Sequence, residues 1–99
     1  MTTPTRVTII PVDGFCSVEG VGYTGIEMTN VPADVHAIQW YGTHGEVEIK
    51  DPVTGKLVRN EFITDLSAYQ QVLLSYWAAR TTAEESQAVA VTNDQIFEV

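Results

Sequence analysis

Two histidines, His36 and His44, one cysteine, Cys16, and two carboxylates two residues apart, Glu46 and Glu48, are the side chains best suited to chemistry in this chain. Whether they can act together depends on the hairpin that carries most of them. Val35 to Lys50 alternates around the turn Gly42-Thr43-His44-Gly45. Closing that turn with Tyr41 opposite Glu46 puts Trp40 opposite Val47 and Ile38 opposite Ile49, with Gln39, Glu48, Ala37 and Lys50 on the other face. His36 then lies opposite Asp51 at the open end and His44 in the turn. At roughly 3.3 Å per residue the two rings are too far apart to share a metal.

The carboxylate pair fares no better. Glycosidase acids act from opposite sides of a bond, whereas Glu46 and Glu48 point the same way from one strand and read as a solvated stripe. Cys16 has no basic or histidine-rich sequence neighbours to lower its pKa, as a nucleophile needs. Gly14, Gly20, Gly22 and Gly25 precede no Gly-Lys-Ser/Thr and no helix, so they are turn and bulge residues, not a phosphate loop. The expectation is a protein that is not an enzyme, with no catalytic residue, no cofactor and no metal.

The elements around these residues predict a single α+β domain over residues 1–88. Arg6 to Val12 reads as a first strand, Phe15 to Glu19 as a second after the Asp13-Gly14 turn, and Tyr23 to Met28 as a third. The meander from Val35, turning again at Asp51-Pro52-Val53-Thr54-Gly55, supplies strands four to six and ends near Arg59. Leu66, Tyr69, Leu73, Tyr76 and Trp77 recur at helical spacing, predicting a helix from about Leu66 to Arg80, with Asp65 or Ser67 as its cap. The fold expected is an antiparallel meander of five or six strands covered on one face by that C-terminal helix. The helix should lie over the Ile38/Trp40/Val47/Ile49 face, in a core that also holds Ile9, Val18, Leu66, Tyr69, Leu73 and Trp77. Residues 89–99 alternate at Val89 and Val91 and read as an added strand, or as a tail ordered by a partner. Swapping that strand between copies would make a homo-oligomer.

Charge narrows the partners. Thirteen acidic against five basic side chains leave a net charge of −8, with no run of Lys or Arg. Affinity for phosphate needs clustered cations, so neither nucleic acid nor an anionic membrane is expected. One cysteine permits no internal disulfide, and MTTPT at the start has no signal-peptide character, which points to a reducing cytoplasm. The remaining function class is protein–protein contact. The large side chains that could form the contact are Tyr41, Tyr69, Tyr76, Trp77, Ile96 and Phe97.

Val7-Thr8-Ile9-Ile10-Pro11, Asp13-Gly14, Gly20-Val21-Gly22-Tyr23, Val35-His36-Ala37-Ile38-Gln39-Trp40-Tyr41, Gly45-Glu46-Val47-Glu48 and Asn60-Glu61 together resemble small proteins encoded in the tail-gene regions of tailed bacteriophages. The likeness spans about residues 6–80. The resemblance implies a tail-fibre assembly chaperone or a small virion component, with a phage tail or tail-fibre protein as partner. It also implies a location in the host cytoplasm during assembly, or in the virion. It supplies no catalytic residues. The alternative reading is a phage-encoded acidic inhibitor of a host protein, carried by the −8 charge.

Overall fold

The computed structural model describes residues 5–98, with side chains described over 5–85. Six strands, β1 (Val7–Ile10), β2 (Phe15–Val18), β3 (Val21–Tyr23), β4 (Val35–Trp40), β5 (Gly45–Lys50) and β6 (Leu57–Ile63), form one antiparallel sheet in the order β3-β2-β1-β4-β5-β6. A helix, α1 (Gln70–Glu98), follows a 3-10 turn at Ser67–Tyr69. The expected α+β class is what the chain adopts. Two three-stranded meanders are joined where β1 pairs with β4, Val7 opposite Trp40 and Ile9 opposite Ile38. The connection 24–34 must therefore pass back from the β3 edge to the middle of the sheet. It does so over the core face, carrying Ile26 into the core with Met28 and Val31 packed beside it.

Alternation decides which face is dry. Val7, Ile9, Cys16, Val18, Ile38, Trp40, Val47 and Ile49 are all buried, at every second position of their strands. The hairpin register differs from the one expected by two residues: Trp40 faces Gly45 and Ile38 faces Val47. A shift of two preserves side-chain parity, so the faces stay as read. The cause is the turn, which closes at Tyr41 N–H to His44 carbonyl, 2.8 Å, with Gly42 at φ 100°. A bulge at His36 then returns Val35 to the core face opposite Ile49, and both are buried.

Three further boundaries move. β2 stops at Val18, because Glu19 and Gly20 both take positive φ, 53° and 82°, as a two-residue hairpin of this twist requires. Glu19 is held there by its own carboxylate, which accepts hydrogen bonds from the Thr5 amide and hydroxyl. β3 is Val21–Tyr23, not Tyr23 to Met28, since Gly25 at φ 75° breaks the extended run. β6 runs to Ile63, four residues past the expected end, pairing with β5 from Ile63 to Arg59 and again at Leu57, with a register shift at Val58.

The helix sits differently from expectation. It packs against β2 and β3, at the far end of the sheet from β6. Its buried stripe is Tyr69, Val72 and Tyr76, with Leu73 and Ala79 flanking. Trp77, expected in the core, is instead 37% exposed. Asp65 begins the segment by accepting from the Ser67 amide at 3.0 Å and from its hydroxyl, bonds that hold the Asp65 carboxyl below its usual pKa. Two polar contacts fix α1 to the sheet side: Tyr76 hydroxyl to the Val21 carbonyl, 2.6 Å, and the Glu27 amide to the Ser75 hydroxyl, 3.1 Å. The α1 backbone continues through 86–98, where the alternation at Val89 and Val91 suggests a strand. How residues 89–99 dock lies outside the described side chains.

Candidate interaction surface

The residues with chemical potential are placed apart. Cys16 is fully buried on the core face opposite Ile9, and burial pushes its thiol pKa up to about 12. A thiol with that pKa stays protonated and unreactive at neutral pH. An aromatic disulfide reagent should therefore modify Cys16 in the native protein at least roughly a hundredfold more slowly than in urea-unfolded chain. Equal rates, followed by absorbance at pH 8, would contradict the burial. Glu46 and Glu48 stand side by side on the face away from the core, and His36 occupies the β4 bulge. Among the described residues no three His, Cys, Asp or Glu side chains gather closely enough to hold a metal ion. No helix among the described residues is long and apolar enough to cross a membrane.

What the fold does assemble is an exposed edge. β3, at one side of the sheet, is three residues long, lies against α1, and has its Val21 carbonyl occupied by Tyr76. β6, at the other side, has seven residues, and all but Ile63 are exposed. Leu57, Val58 and Phe62 are 58%, 60% and 69% exposed. An edge strand presents a row of main-chain donors and acceptors, and native proteins usually shorten, cover or charge such edges. β3 is shortened and covered. β6 carries only the pair Arg59–Glu61, joined at 2.7 Å.

A line of rings leads to this edge across the outer face. The Arg6 guanidinium stands 5.0 Å over the Tyr41 ring, Tyr41 is 5.5 Å from His44, and His44 stacks on Phe62 at 5.8 Å and 21°. The β5–β6 register places Phe62 beside Glu46 and Asn60 beside Glu48. Carboxylates thus flank the rings. On the other side of the β6 edge a shallow depression is bounded by Asp34, Lys50, Asp51, Val58 and Arg59. It is open, mixed in charge and no enclosure for a small substrate.

Of the six contact residues expected from sequence, Tyr41 is half-exposed and belongs to the ring line. Tyr69 and Tyr76 are buried, so they are core residues and not surface contacts. Burial, with the Glu61 and Asp34 carboxylates, pushes the Tyr69 phenol above its usual pKa. Trp77 is part-exposed on α1, edge-on to Tyr76 and with Arg80 over its ring at 5.1 Å. It lies on the opposite side of the sheet from Tyr41. Ile96 and Phe97 lie outside the described side chains. Arg6, His44 and Phe62 join Tyr41 in the ring line, although the sequence expectation does not include them. The signal for Phe62 was the apolar pair Phe62-Ile63 after Asn60-Glu61, legible once β6 is extended through it.

No family model, curated protein or solved structure matches the chain.

Proposed function

We propose that this protein works by protein–protein contact during tailed-phage assembly, as a tail-fibre assembly chaperone or as a small virion component. The observation that carries the contact reading is the open β6 edge beside the Arg6–Tyr41–His44–Phe62 line. Main-chain pairing gives an edge affinity for another chain, and exposed rings beside it add selectivity. The phage context rests on the tail-region resemblance over residues 6–80.

Co-expression with a tail-fibre protein encoded beside it, together with a mass-spectrometric census of purified particles, tests the proposal. A chaperone raises the soluble fibre yield and is absent from particles. A component is found in particles at fixed stoichiometry. Absence from particles with no change in fibre yield contradicts both. Salt-sensitive capture of a host nucleic-acid-binding protein would instead favour the acidic inhibitor.

A further inference from the structure

We infer that β6 pairs with β6 of a second copy of this chain, antiparallel about a twofold axis through Asn60, so that one continuous sheet runs through both copies. The inference does not need the phage reading, but it claims the same edge: in the dimer β6 is already paired, and a foreign partner would have to displace the second copy. Val58-Arg59-Asn60-Glu61-Phe62 is complementary to its own reverse: apolar, positive, polar amide, negative, apolar. An antiparallel pair centred on Asn60 sets Arg59 opposite Glu61 of the second copy, and Glu61 opposite its Arg59. The same register sets Val58 opposite Phe62 and Asn60 opposite Asn60.

The faces agree with that register. Arg59 and Glu61 stand opposite Ile49 and Val47 of β5, on one side of the sheet; Asn60 and Phe62 stand opposite Glu48 and Glu46, on the other. In the pair, the Arg59–Glu61 bridge that each copy already makes at 2.7 Å becomes a ring of four alternating charges. On the opposite face the two amides meet between Phe62 side chains that are 69% exposed in the single copy. Directly opposed unlike charges and apolar pairs are the units that stabilise antiparallel pairing. A twofold contact needs one self-complementary patch, which this strand supplies. A register slipped by two residues loses both: centred on Glu61, it puts Glu61 opposite Glu61 and Arg59 opposite Ile63, and centred on Arg59, it puts Arg59 opposite Arg59 and Glu61 opposite Leu57. Val58, where the β5 register shifts, is then the last residue of the join on that side.

Charge reversal tests this with the full chain. Sedimentation equilibrium from about 1 µM to about 1 mM should show a monomer–dimer equilibrium. R59E puts only carboxylates across the join and E61R only guanidinium groups, and each should raise the dissociation constant roughly 10–100-fold. Both positions are exposed, so thermal melts should confirm that each variant is folded. Mixing the two variants in equal amounts restores both unlike pairs, and should give a one-to-one heterodimer close to wild-type affinity. The double variant R59E/E61R should dimerise again by itself. A wild-type chain that stays monomeric throughout overturns the inference, even if β6 then accepts a foreign strand. So does a dimer indifferent to R59E and E61R, or loss of dimer that mixing does not repair.

Discussion

Replacing Tyr76 with Ala should lower stability by about 3–5 kcal/mol, the range for removing a buried aromatic side chain. Tyr76 is fully buried, meets Tyr23 edge-on at 5.8 Å and Trp77 at 5.3 Å, and donates to the Val21 carbonyl. One side chain thus joins α1 to the β3 edge through both ring and hydroxyl. Tyr76→Phe keeps the rings and removes the hydroxyl with its two hydrogen bonds, the one it donates to the Val21 carbonyl and the one it accepts from the Arg80 guanidinium, so about 1–2 kcal/mol should be lost. Urea unfolding measures both. A Phe variant as damaging as Ala would mean that the hydroxyl, not the packing, fastens the helix. An Ala variant within about 1 kcal/mol of wild type would mean that α1 is not held where it is described.

Gly45→Ala should lower stability by about 1–3 kcal/mol, although alanine is usually a mild substitution for glycine. Gly45 is the β5 residue opposite Trp40. A Cβ there would lie 2.5 Å from the Gln39 carbonyl oxygen and 3.0 Å from the Trp40 ring. The nearest atom is main chain, so a flexible side chain cannot relieve the clash by moving. Trimming the indole in the double variant W40F/G45A should therefore fail to recover the loss. A shift in melting temperature of roughly 4–8 °C per kcal/mol is expected for a domain this small. Unchanged melting would show that β4 and β5 do not approach as closely as Trp40 and Gly45 require.

That same glycine marks where reading from sequence stopped. The alternation of Ile38, Trp40, Val47 and Ile49 shows which side chains share the dry face, because parity survives any even shift. Parity alone does not say that Trp40 needs a residue without a side chain across from it, and the pairing was placed two residues away. On the helix, spacing picks out an apolar stripe but not its rotation. Tyr76 and Trp77 are adjacent and compete for the core, and Tyr76 takes the place, fully buried, while Trp77 stays exposed. The extent of β6 is the least legible feature. Asn60 and Glu61 look like loop residues to a reader expecting burial, whereas an edge strand exposed on both faces has no need to alternate. Arg6, His44 and Phe62 are distant in sequence and become neighbours only through the sheet order.

In the proposed function, contact with other chains is made through β6 and the ring line on the outer face. Amide hydrogen exchange on dilute protein, alone and with the proposed tail-fibre partner, tests this. The account predicts new protection concentrated in 57–63 and in the 41–46 turn, with α1 and β3 unchanged. A complex that forms with protection over α1 or β3, and none in β6, would contradict it.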